Sequence, residues 1–166
     1  VCEKTGPRLT DEAELLLRHV NPGWLVDDGQ PSSQAFYPFG KKDEGCMSVD
    51  QHTKTTPEAA HQLFTSPCPS GFGLESDGVW GLTVGEVHAV GLPAWASPLE
   101  ATADTPSNAA HALIDFGDLP ESRWKPLGRA LKKKALARGK LYSTAASVPA
   151  SGAELKAASN IGQKAS

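Results

Sequence analysis

Apolar positions along the chain fall into short runs separated by turn-forming clusters, and their spacing predicts short elements throughout. In residues 10–20, Ala13, Leu16, Leu17 and Val20 recur at i, i+3, i+4 and i+7, with Thr10 placed to cap and Asp11, Glu12 and Glu14 in the first turn. That pattern predicts a helix stopped by Asn21, Pro22 and Gly23. Residues 33–39 and 46–51 read as strands joined by a polar loop, the first ending near Pro38 because proline cannot donate to a ladder. Thr56, Pro57 and Glu58 announce a helix over 56–65. Alternation resumes in residues 79–84, where Trp80, Leu82 and Val84 share a face. It recurs in 110–116, where Ala112, Ile114 and Phe116 oppose His111, Leu113 and Asp115.

The connection across 91–109 is rich in Pro, Ala, Ser and Thr, and Pro126 is expected to open a last helix reaching residue 138. The predicted fold is therefore α+β: a small mixed or antiparallel sheet of about four strands packed with three helices, within residues 8–140. Trp24, Phe36, Phe39, Val49, Trp80, Leu82 and Ile114 are the expected core. Residues 141–166, dominated by Ala and Ser, read as a flexible low-complexity tail.

Composition adds turns and removes staples. Sixteen Gly and thirteen Pro in 166 residues favour short elements, and a chain of this length buries a core without cross-links. Three cysteines, Cys2, Cys46 and Cys68, are an odd number without CxxC spacing, which argues against a disulfide framework and a zinc knuckle. A reducing cytoplasm is the expected setting. No apolar run approaches the roughly 18 residues of a membrane span, and the N-terminus lacks the order of a secretory signal.

Charge is the least even property. Residues 1–122 hold eighteen Asp and Glu against six Lys and Arg, whereas residues 123–140 hold eight Lys and Arg and no acid. On a helix, Arg129, Lys132 and Lys133 share one face, with Arg138 near its end, so these four are candidates for binding a protein or a polyanion, nucleic acid included. The competing reading is that the helix docks on the acidic surface of its own chain.

Histidine chemistry supplies the other candidates. His19, Glu86 and His111 are the residues from which a fold-assembled His/Glu site could be built; His111 shares a strand face with Asp115, but about 13 Å of extended chain separates them. His19 beside Arg18 equally suits the negative end of a helix. No nucleotide-binding, zinc-protease, EF-hand or nucleophile-elbow motif occurs, so no cofactor and no metal is expected. The runs "LLRHVNPGW", "SSQAFYPFGKKDEGCMSV", "GVWGLTVGEV" and "HALIDF" resemble a family of small bacterial proteins over about residues 14–117, a likeness that implies no activity, cofactor or site. The function expected from the sequence is a cytosolic bacterial accessory or interaction module using the basic helix. The alternative is a small hydrolase or transferase acting on nucleotides or RNA.

Overall fold

The computed structural model describes residues 2–144. Six strands form one open antiparallel sheet in the order β4-β5-β2-β1-β3-β6. They are β1 (Leu15–Val20), β2 (Cys46–Gln51), β3 (Gly78–Thr83), β4 (Ala94–Ala96), β5 (His111–Asp115) and β6 (Tyr142–Ser143). Three helices accompany them: α1 (Pro57–Thr65), α2 (Val84–Ala89) and α3 (Glu121–Arg138). The α+β class stands, with an entirely antiparallel sheet that is wider than four strands. The predicted tail beyond Thr144 lies outside the described residues, while Tyr142 and Ser143 close the sheet against β3.

Each face of the sheet is covered by a different helix. Leu16, Val20, Met47, Val49, Trp80, Leu82, Ala112 and Ile114 point to one side and form the main core with Trp124, Leu131 and Ala135 of α3. Leu17 and Val79 point to the other side and meet Ala60 of α1 in a smaller cluster. The alternation of strand side chains produces this division.

The first predicted helix is instead the central strand β1. "LLLRHV" is buried on both faces, and a short apolar run of that kind fits the 3.6 and 2.0 periods equally well; the sheet decides in favour of the second. Asp11 and Glu14 form a turn, with the Asp11 side chain accepting from the Ala13 amide at 3.0 Å. Arg18 and His19 consequently lie in mid-sheet rather than at a helix end.

The strand expected at 33–39 is also replaced, by a turn of 3-10 helix at Ser33–Phe36. Phe36 is fully buried, but Phe39 is 55% exposed and leaves the predicted core; Trp24 packs at the core's margin. Helix α3 crosses this turn at Gly128. A Cβ there would lie 2.5 Å from Tyr37 Cδ1 and 3.0 Å from the Ser33 carbonyl oxygen, so close approach requires glycine.

Pro126 sits inside α3 rather than at its start. Burial of Trp124, which donates Nε1–H to the Leu119 carbonyl and packs edge-on against Phe116, draws the helix back to Glu121. That packing offsets the backbone bond that proline cannot make. The 91–109 connection contains the edge strand β4, only three residues long and flanked by Pro93 and Pro98, which conceals it from a periodicity reading.

The cysteines depart furthest from expectation: Cys2 and Cys46 form a disulfide with Cα atoms 6.0 Å apart, and Cys68 is free and exposed. Their separation of 44 residues has no spacing signature. They meet because residues 2–9 run as a strap along β4, where the Leu9 amide donates to the Ala94 carbonyl and the Ala96 amide to the Pro7 carbonyl, both at 2.9 Å.

Candidate functional site

Strands β1 and β2 pair only through Leu16 with Gln51 and Leu17 with Asp50. Odd-numbered positions of β2 bond to β5: the Gln51 amide donates to Ala110, and the Gly45 carbonyl accepts from Phe116. By alternation the Ser48 carbonyl faces β1, at a point where direct pairing has ended. Arg18 fills the gap. Its Nη1 donates to the Ser48 carbonyl at 2.9 Å and its Nε to the Ala35 carbonyl at 2.7 Å, while Trp24 lies beneath the guanidinium at 5.2 Å. Burial lowers the Arg18 pKa to about 10, partly opposed by Asp43, so the group remains a cation at neutral pH.

On the face toward α1, this divergence leaves a cavity of about 150 Å³, a volume comparable to one that takes a benzene-sized ring. Its floor carries His19, Ser48, Asp50, Asn108 and His111; Leu63, Phe64, Phe72, Leu74 and Leu99 contribute its apolar walls. Ser48 is the one exposed residue of β2, although that strand is flanked on both sides by β5 and β1.

Two polar groupings occupy the floor. His111 Nδ1 lies 2.6 Å from the Ser97 carbonyl oxygen, which can only accept, so the neutral ring donates there and turns a lone pair on Nε2 toward Ser48 Oγ at 3.3 Å. The Ser48 hydroxyl then donates to His111. In the second grouping, Asp50 accepts from His19 Nε2 at 3.1 Å and from Asn108 Nδ2 at 2.8 Å. The His19 ring stacks on Phe64 with centroids 4.1 Å apart.

Burial lowers the His19 pKa below its ordinary 6.5, with Arg18 and His61 adding to the shift against the opposing hydrogen bond and charge of Asp50. The unfolded chain therefore binds this proton more readily than the folded one. His19 does not penalise folding above about pH 6.5, and stability falls as pH drops below that value toward the folded pKa. We expect urea titrations at stepped pH to show this acid limb, and His19→Gln, which retains a donor for Asp50, to flatten it.

The sequence candidates separate in space. His19 and His111 line the same cavity, whereas Glu86 does not join them. It belongs to the capping box of α2, accepting from the Thr83 amide at 2.9 Å, and pairs with both terminal nitrogens of Arg138 at 2.8 and 3.0 Å. Partial burial pushes the Glu86 carboxyl up, but hydrogen bonds from Arg138 and the Thr83 amide hold it below the usual range; the same pairing raises Arg138. Arg138 also donates to the Gly81 carbonyl, so it ties α3 to the sheet and is not free for a partner.

Arg129 and Lys133 are exposed and Lys132 is partly exposed, and no ion pair engages any of the three among the described residues. The chain's own carboxylates neutralise two members of the basic run, Arg138 through Glu86 and Lys140 through Asp77.

Ser48, Asp50 and Asn108 were not singled out from the sequence. The two-residue alternation of "CMSVDQ" places Cys46, Ser48 and Asp50 on one face, which was the available signal for the first two; Asn108 gives none, because a loop brings it in. Among the described residues the one three-member group with metal-ligand geometry is Cys2, Cys46 and Asp115, whose sulfurs are already bonded to each other. No family model, curated protein or solved structure matches the chain.

Proposed function

We propose that the cavity beneath α1 is the active site of a small hydrolase or transferase in which Ser48 is the nucleophile and His111 its general base. The observation carrying this reading is the oriented pair: His111 is fixed through Nδ1 by the Ser97 carbonyl and accepts from Ser48 through Nε2. Ser48 Oγ attacks an acyl carbon as its proton passes to His111 Nε2. His111 returns the proton to the departing alkoxide or amine, and water, or a second acceptor, then takes the acyl group from Ser48 by the reverse route.

The lining favours an uncharged substrate. Asp50 is the cavity's carboxylate, and the Arg18 guanidinium is engaged by carbonyls and Trp24. The α3 cations lie across the sheet. A phosphate would meet the Asp50 carboxylate, and the lining cation, Arg18, has its Nε and Nη1 donors already committed to carbonyls, so a short acyl or ring-sized neutral group replaces nucleotides or RNA as the expected substrate class.

A short alkyl fluorophosphonate tests the nucleophile without a known substrate. Phosphonylation should map to Ser48 in the intact protein, vanish in Ser48→Ala and be slowed by p-nitrophenyl butyrate, with p-nitrophenyl phosphate ineffective. Labelling elsewhere, or equal labelling of the alanine variant, overturns the assignment.

A second reading has its own observation. Arg123, Lys125, Arg129, Lys132, Lys133 and Lys134 have no ion-pair partner among the described residues, leaving a cationic face on α3 suited to a polyanion or an acidic protein. Because this face is opposite the cavity, the two roles are separable. Changing Arg129, Lys132 and Lys133 together to Glu should leave the melting curve nearly unchanged and abolish salt-sensitive retention on heparin. Unaltered retention would remove the role from α3.

A further inference from the structure

The N-terminal strap does more than cover an edge. After pairing with β4 through residues 7–9, the chain toward Cys2 crosses the same sheet face as the cavity. Lys4 lies 5.3 Å above the Trp95 ring and is ion-paired with Asp115, and the Cys2–Cys46 bond ends the crossing. Cys46 and Ser48 are two residues apart on β2, and their side chains share that face.

On the way, the strap touches the segment that positions the base. Ser97 Oγ donates to the Glu3 carbonyl at 3.4 Å and lies 3.4 Å from Thr5 Oγ1, which also reaches the Pro98 carbonyl at 3.4 Å. The Ser97 carbonyl is the acceptor for His111 Nδ1. Pro98 leads directly into Leu99, which forms paired backbone bonds of 3.0 and 2.9 Å with Asn108. Leu99 and Asn108 both line the cavity. Thus one short segment, residues 97–99, joins the strap to the base, the wall and the floor.

The contacts made by residues 3–5 are long or partly exposed, so the covalent bond is the main tether of this end of the strap. We infer that Cys2–Cys46 is a redox-operated clasp: closed, it holds residues 97–99 and keeps His111 aligned on Ser48; open, it releases the strap and lowers Ser48 reactivity. Opening consumes a thiol reductant. Two electrons and two protons pass from a dithiol such as dithiothreitol to the disulfide, giving two cysteine thiols and the oxidised, disulfide form of the reductant. The clasp would be closed in an oxidising compartment and open in a reducing cytoplasm. In this view Ser97 is a positioning residue, and the effect on Ser48 rests on the nucleophile assignment above.

The test combines thiol counting, amide exchange and Ser48 phosphonylation on the full chain, with Cys2→Ser as an open clasp that needs no reductant. Without reductant, the denatured protein should show one alkylatable thiol, Cys68, and after reduction three. Reduction and Cys2→Ser should each speed exchange of the Leu99 and Asn108 amides and slow Ser48 labelling about tenfold, with exchange in β1 and β3 unchanged. The slowing should appear in the maximal labelling rate and not in the probe concentration that half-saturates it, since the tether acts through the His111 ring.

Three thiols in the unreduced protein, or exchange at residues 97–108 insensitive to confirmed reduction, would overturn the clasp. If Ser48 takes no label in either state while exchange still responds, the clasp stands and the nucleophile assignment fails. Label on Ser48 at one unchanged rate in both states leaves the nucleophile in place and overturns the control.

Discussion

Replacing His111 with Gln should slow phosphonylation of Ser48 by about 10²- to 10⁴-fold, the range contributed by a positioned general base. The two polar contacts of the ring define the expected result. Nδ1 can only donate to the Ser97 carbonyl, which leaves Nε2 as the acceptor for the Ser48 proton. Glutamine can occupy the space and retain one of these bonds, but its amide cannot take up the proton at neutral pH. The large change should therefore appear in reactivity, with little change in the urea midpoint. A variant that labels at the wild-type rate would show that the contact is structural.

Arg18→Met should be the most destabilising of the polar substitutions considered, at about 3 kcal/mol. Methionine retains part of the aliphatic stem, so the loss isolates the guanidinium. Two carbonyls lose charged donors: that of Ala35, in a buried contact, and that of Ser48, in a partly buried one, which has no β1 amide opposite it. The turn at Ser33–Phe36 also loses its attachment to the sheet, and Trp24 loses its cation. A fall of about 10 °C in the melting midpoint corresponds to this energy for a domain of this size. Arg18→Lys should recover only part of it, because an ammonium cannot span both carbonyls in the planar arrangement of the guanidinium. A loss within the few tenths of a kcal/mol typical of exposed positions would show that the gap between β1 and β2 closes without Arg18.

The elements most readily read from the sequence were those whose local signals and surroundings agree. Thr56 and Pro57 begin α1, with the Thr56 side chain accepting from the Ala59 amide, and alternation placed β2, β3 and β5 within a residue or two. β1 failed because a central strand buried on both faces loses the polar alternation that distinguishes it from a helix. The same ambiguity displaced Arg18 and His19 from a solvent-facing helix end into the sheet, where one closes a gap in the ladder and the other helps form the cavity floor.

Of the candidate site, His19 and His111 were legible as titratable side chains on recognisable elements. Their joint cavity was not, since it depends on where β1 and β2 stop pairing and on a loop that carries Leu99 and Asn108. Glu86 was misplaced for a related reason: the Thr83 cap turns the chain into α2 just before it, and Arg138 arrives from a distant helix. The Cys2–Cys46 link is equally non-local.

The residues along β4 have one more consequence. Left bare, a three-residue border strand with Trp95 on it would present unpaired amides and carbonyls to any passing extended segment, a ready template for intermolecular β-pairing. Pro7 and Leu9 occupy those bonding positions from within the same chain, and trimming the first nine residues would turn a self-contained sheet into one prone to recruiting a stranger.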